Sequence, residues 1–320
     1  MTALPLSPAR RKTLAVYLSL QIAAAVGFVA GGPPEDTRFW NGLFDVGHAL
    51  LFAMLMWSSL QVAGLFESSK RPRPRHALTA LVIVLALAGI SEVMQRFQPT
   101  RHPSFGDFLR DAAGAGAVYL VWTTTGPLRP VKTAVLLRRG LAGTFILLVL
   151  AEFGRTLEIY AERDRAFPVL LRFENRWWER ELLNVRGGQL SATADVPGSP
   201  LPCARLAFQP VRVPALSFDE PYPDWSHAQR LVFPIVSYHQ QTFRLRIRVS
   251  DADYNGDDAD AFYRDLDLEK GPHRIEIPIE EIRRAPHARV LDLTRIRNIT
   301  LFVWRPSQSI DMCLGPLYLE

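Results

Sequence analysis

Five long apolar stretches fill the first half of this 320-residue chain and limit what it can fold into. They run approximately over Thr13–Ala30, Leu43–Phe66, Ala77–Gln95, Asp107–Thr125 and Gly140–Leu157. A helix needs about 20 mostly apolar residues to cross the hydrocarbon core of a bilayer, and each stretch is close to that length. The expectation is an α-helical transmembrane bundle of about five spans over residues 1–158, held in the membrane lipid bilayer. The first stretch follows Arg10, Arg11 and Lys12, as the apolar region of a signal peptide does. Its length and the poor cleavage site Phe28-Val29-Ala30 favour an uncleaved anchor.

A net charge of +5 and a pI near 9.4 would suit a nucleic-acid partner. The basic residues of the first half, however, stand between the apolar runs, and no nucleic-acid module accompanies them, so no nucleic acid is expected. Arg10, Arg11 and Lys12 fall on one side of the expected bundle. Lys70, Arg71, Arg73 and Arg75 fall on that side too, as do Arg129, Lys132, Arg138 and Arg139. The opposite loops carry Arg38, Arg96 and Arg101. By the positive-inside rule the N-terminus is cytoplasmic, and an odd number of spans places the C-terminal half outside the cytoplasm of a bacterial inner or plasma membrane.

Polar residues cluster at the ends of the spans expected to face outward. Asp45 and His48 share a helical face at the start of the second, and Glu92 and Gln95 have the same spacing at the end of the third. Arg101, His102 and Ser104 lie in the next loop, and Asp107 and Asp111 open the fourth. Ionisable groups near membrane depth are costly and commonly functional. The alternative is that helix ends meet water and tolerate polar side chains without a role.

Asp45-x-x-His48, Glu92-x-x-Gln95, Arg101 and Asp107 resemble the VanZ-like family of small membrane proteins over roughly Phe39 to Trp122. The family pattern has Asn four residues after the last Asp and Gly three further on; this chain has Asp111 and then Gly114. The family takes its name from an accessory protein of glycopeptide (teicoplanin) resistance. The resemblance therefore implies a cell-envelope role without specifying a reaction. From the residues themselves, the planar fork of Arg101 suits a phosphate or carboxylate, and Asp45, His48 and Glu92 can serve as acid and base in a partly dry site. Gln95, Ser104, Asp107 and Asp111 would line it. An anionic lipid-linked envelope precursor fits such a site. Arg101 paired with Asp107 or Glu92, fixing the loop, is the structural alternative.

After Leu157 the chain becomes charged, and from about residue 168 to 320 it reads as short strands. Phe243, Leu245, Ile247 and Val249 alternate with Arg244, Arg246 and Arg248, and Ile275, Ile277 and Ile279 form a second such run. An all-β antiparallel sandwich is expected. The order of Phe173-Glu174, Trp177, Asp224-Trp225, the Arg-alternating strand, an Asp-rich loop and Gly271 resembles the galactose-binding-like, carbohydrate-binding jelly rolls. That resemblance implies a jelly-roll fold and an envelope glycan as partner. Trp177 and Trp225 are expected in the core, and Trp178 and Tyr254 as exposed rings on which a sugar can stack.

Asp251, Asp253 and Asn255 begin a D-x-D-x-N-G calcium loop whose closing Glu is missing, Phe262 standing in its place. Calcium and a solvated acidic turn are both open readings. Cys203 and Cys313 either form a disulfide or are buried apolar residues. No catalytic triad, P-loop, dinucleotide fingerprint or zinc spacing is present. Two functions follow: a nonenzymatic envelope protein that binds glycan, or a membrane enzyme working on a lipid-linked envelope precursor.

Overall fold

The computed structural model describes residues 7–30, 33–67, 72–96, 104–125, 131–173, 176–193 and 203–320. The chain divides into two compact units, Met1–Leu157 and Glu158–Glu320.

The first unit is helical: α1 (Pro8–Ala30), α2 (Arg38–Leu65), α3 (Pro74–Gln95), α4 (Phe105–Thr124) and α5 (Lys132–Ala166), the last running on into the second unit. Thr37 caps α2 by accepting from the Trp40 amide, and Ser104 caps α4 by accepting from the Asp107 amide. Both occupy the position where a short hydroxyl side chain satisfies an amide left over by the first turn. Phe52, Met56 and Leu60 of α2 meet Ala77, Ala80, Val84 and Ala88 of α3 and Ala115 of α4 in a small-residue core. Small residues at such seams let helices approach closely where lipid supplies no hydrophobic drive between them.

Five spans were expected; three helices among the described residues are long and apolar enough to cross a membrane, Arg38–Leu65, Pro74–Gln95 and Lys132–Ala166. α4 departs because Asp107, Arg110 and Asp111 fall in its first two turns. In α1 the side chains of residues 24–30 lie outside those described. Leu136, Leu137, Leu147 and Leu148 of α5 are all exposed, as are Val82, Ile83 and Ile90 of α3. Apolar surface on that scale suits lipid rather than water.

Among the described residues the second unit holds α6 (Trp177–Leu182), α7 (Ile279–Arg283) and twelve strands. The strands are β1 (Val169–Leu171), β2 (Leu183–Arg186), β3 (Gly188–Thr193), β4 (Cys203–Phe208), β5 (Ala215–Asp219), β6 (Arg230–Ser237), β7 (Phe243–Asp251), β8 (Phe262–Leu268), β9 (Gly271–Pro278), β10 (Ile296–Phe302), β11 (Ile310–Leu314) and β12 (Leu317–Leu319). One sheet runs β1-β12-β6-β11-β4-β3, with β9 also on β6; the other runs β2-β5-β10-β7-β8. Neighbouring strands are antiparallel throughout. Leu206, Phe233, Ile235 and Met312 of the first sheet share one core with Leu245, Ile247, Val249, Ile299 and Leu301 of the second. The strict alternation of β7 produces this: its apolar residues face the other sheet and its arginines face out. Cys203 of β4 and Cys313 of β11 form a disulfide with their Cα atoms 5.6 Å apart, closing a separation of 110 residues.

Candidate functional site

In the helical unit the polar residues gather into two groups at one end. Gly114 makes this possible: a Cβ there would stand 2.0 Å from the Ala49 carbonyl oxygen, so α4 lies directly on the backbone of α2. One turn earlier on α4, Asp111 then meets His48, whose Nδ1 lies 3.3 Å from Asp111 Oδ1. Glu92, near the end of α3, completes this group. Its Oε2 accepts from the Ser104 amide at 2.9 Å, and its Oε1 accepts from Gln95 Nε2 at 3.2 Å. His48, Glu92, Gln95 and Asp111 are all buried.

The second group is organised by Arg110. Its guanidinium reaches Asp107 at 2.7 Å, Asp45 at 3.3 Å and Glu152 of α5 at 2.5 Å. Asp45 and His48 therefore separate despite their shared helical spacing, one going to each group. Arg101 lies outside the described residues. Arg110 was missed in the sequence because a basic residue between Asp107 and Asp111 reads as ordinary helix-end chemistry. Its partner Glu152 lies 42 residues away.

Basic residues mark the opposite end of this unit. Arg10 Nη1 donates to the Leu65 carbonyl at 2.7 Å, Arg73 and His76 pair with Glu67, and Arg139 Nε donates to Thr124 Oγ1 at 3.4 Å. These contacts join the start of α1 to the end of α2, and the end of α4 to the start of α5.

The sandwich carries a separate candidate site on the outer face of its second sheet. Register puts Asn184, Ser217, Thr300, Arg248 and Tyr263 on one rung across all five strands. Arg248 Nη2 donates to Asn298 Oδ1 and Thr300 Oγ1, both at 3.1 Å, and its guanidinium lies 5.2 Å from the centre of the Tyr254 ring. The Tyr254 and Tyr263 hydroxyls are 3.4 Å apart, and Tyr263 also donates to Asp258 at 2.8 Å. Burial, with the hydrogen bonds to Tyr254 and Asp258, pushes the Tyr263 phenol well above its usual pKa, so it stays a donor. Phe302 meets Tyr263 edge-on at 6.5 Å.

Of the two rings expected to be exposed, Tyr254 is half-buried on this face, whereas Trp178 is 2% exposed and belongs to the core. Trp177 is 40% exposed and Trp225 is fully buried, so the expected places of Trp177 and Trp178 are exchanged. The two are adjacent on the six-residue α6, where one position changes the face. Trp304, 59% exposed between Arg212 and Arg305, is a further outward ring.

The Asp-rich loop is organised around an arginine. Arg289 grips Asp251 through two nitrogens at 2.5 and 2.7 Å and Asp260 through Nε at 2.5 Å. Asp253 pairs with Arg295 at 3.2 Å, and Asn255 Oδ1 accepts from the Asp257 amide. The three residues read as calcium ligands thus point to three different partners. The Arg289 guanidinium, with the Asn255 amide, holds the Asp260 carboxyl below the usual carboxylate range.

No protein-family model and no curated relative matches this chain. Among solved structures it is similar to a family 11 carbohydrate-binding module from Clostridium thermocellum in complex with a β-1,3-1,4-mixed-linked tetrasaccharide. That module is 18% identical, with 47% of this chain and 93% of the module covered and a TM-score of 0.37. An exo-β-agarase is 17% identical, with 48% of this chain and 25% of the agarase covered and a TM-score of 0.39. The family 30 carbohydrate-binding module of a cellulosomal cellulase of Clostridium thermocellum is 13% identical, with 43% and 86% covered and a TM-score of 0.32. These scores lie below 0.5 and carry no ligand or activity over to this chain.

Proposed function

We propose that the protein is an integral membrane protein of the cell envelope whose C-terminal jelly-roll sandwich stands outside the cytoplasm and binds a glycan. The carrying observation is the rung Asn184–Ser217–Thr300–Arg248–Tyr263, flanked by Tyr254 and Phe302. A sugar presents hydroxyls around an apolar ring face, and this surface offers donors, acceptors and rings arranged by the sheet itself. The Cys203–Cys313 disulfide fits an oxidising compartment. Arg10, Arg73 and Arg139 at one end of the helical unit fit a cytoplasmic face by the positive-inside rule. Counting α1 and α4 as spans gives the five-span, VanZ-like arrangement. It turns the polar groups outward, where they can engage an anionic lipid-linked precursor.

Full-length protein in nanodiscs is expected to retain at least one envelope polysaccharide on a glycan array. Tyr254→Ala and Arg248→Ala should each weaken that binding about tenfold, a loss of roughly 1.4 kcal/mol. An array on which no polymer is retained overturns the reading. A second reading, an enzyme acting on a lipid-linked envelope precursor, is favoured by the convergence of His48, Glu92 and Asp111.

A further inference from the structure

The buried group in the helical unit has no part in the glycan-binding face, and its chemistry is of another kind. One ligand atom each from His48 on α2, Glu92 on α3 and Asp111 on α4 lie within 4.8 Å of one another. Donors on a single tetrahedral transition-metal ion, with bonds of about 2.0–2.2 Å, stand about 3.3–3.6 Å apart. Side-chain rotations that move each donor atom by up to about an ångström close the set.

Asp111 supplies an independent pointer. Its side chain is completely buried, with His48 Nδ1 its close neighbour at 3.3 Å. Neither carboxylate oxygen has a well-directed hydrogen bond among the described residues. A buried carboxylate in that condition is strongly unfavourable, and a second one beside it makes matters worse. Glu92, by contrast, is oriented by the Ser104 amide and Gln95 while keeping lone pairs to spare. Hydrogen-bonded carboxylates of this kind are the usual supports of metal sites. The Gly114 contact fixes α4 on α2 and so presets the distance between two of the three donors.

We propose that His48, Glu92 and Asp111 bind a divalent transition-metal cation of the Zn2+ or Mn2+ class. A neutral imidazole and two carboxylates balance a dication, and a donor set of one nitrogen and oxygens without thiolate suits these ions. With three protein ligands, the remaining positions are open to water or to an anionic group. The site stands whether or not the sandwich binds glycan, and its failure would leave that reading untouched.

The test uses full-length, tag-free protein in detergent, stripped with chelator, loaded with Zn2+ or Mn2+ and desalted before elemental analysis. The wild type is expected to retain about one equivalent per chain. Asp111→Asn and His48→Ala, eluting as folded protein, should retain at least about tenfold less. Asp253→Asn, in the acidic loop of the sandwich, should retain the full equivalent. A wild type that holds neither metal, or His48 and Asp111 variants that keep the full equivalent, overturns the proposal. The wild type alone supplies a second arm in case the variants do not fold: Mn2+-loaded protein should show imidazole nitrogen coupling in pulsed electron paramagnetic resonance. Coupling to oxygen ligands alone overturns it.

Discussion

Asp251 and Asp260 in the sandwich, and Glu92 and Asp111 in the helical unit, set the same electrostatic problem: two carboxylates buried close together. The sandwich solves it internally. Arg289 lays its fork across both, and the Asp292 amide adds a further donor to Asp251. The helical unit offers an imidazole, an amide and a carboxamide at comparable positions. A guanidinium stays charged at any physiological pH and brings five donors, whereas an imidazole brings at most two and only partial charge. The difference teaches that, among the described residues, the first site carries its own cation, whereas the second gathers carboxylates around an imidazole in the form we propose a metal ion completes.

The comparison breaks most sharply if the internal cation is removed. Arg289→Ala leaves Asp251, 1% exposed, without its ion pair and should cost the second unit about 3–5 kcal/mol. A lowered melting temperature of the full-length protein, with the helical signal retained, is the measurement. A loss under about 1 kcal/mol would mean the two sites are not different in kind.

The next effect probes the helical side. Ala at position 114 would drive its Cβ into the Ala49 carbonyl, and backbone cannot move aside as a flexible side chain can. Gly114→Ala should cost about 1–3 kcal/mol and reduce cation retention in parallel, because Asp111 is carried away from His48. A variant that is destabilised yet keeps its full cation content would detach the site from the helix crossing.

How far the sequence reveals these sites depends on the range over which the cause acts. The apolar runs marked five helices, and the alternation of Phe243–Val249 marked a sandwich strand, because both are local periodicities. His48, Glu92 and Asp111 were visible as costly polar groups near membrane depth. Their separation from Asp45 and Asp107 was not, since it depends on which helix each side chain meets. Arg289 was hidden for the same reason: it lies 29 residues beyond Asp260 in an aperiodic segment, while the D-x-D-x-N-G pattern nearby advertised a metal. Spacing identifies candidate ligands, but the charge that satisfies them can come from anywhere in the fold.

Acid should act on the sandwich in a defined direction. Arg289, Arg246 and Arg274 hold Asp260, Asp265 and Glu276 below their ordinary values of 3.8, 3.8 and 4.5. A depressed carboxylate contributes stability that is complete above its unfolded value and is lost as pH falls through its folded value. The melting temperature of the second unit should therefore hold from neutrality down to about pH 5 and decline below about pH 4. In Arg289→Ala the share carried by Asp260 disappears, so the acid decline should be shallower. An equally steep decline would show that Arg289 does not set that carboxylate.

The smallest effect is expected from calcium. Asp251 is already engaged by Arg289, Asp253 by Arg295, and Asn255 by its own loop. A cation entering there would have to displace a guanidinium held by several charge-assisted hydrogen bonds. Millimolar Ca2+ should leave the melting temperature of the wild type unchanged, whereas Arg289→Ala, which frees Asp251 and Asp260 together, should gain stability as Ca2+ is added. Ligand that binds the folded state at about 100 times its Kd stabilises by roughly 2.7 kcal/mol, so even weak binding to the variant is measurable. A wild type that responds as strongly as the variant would place a cation site in both units and remove the contrast between them.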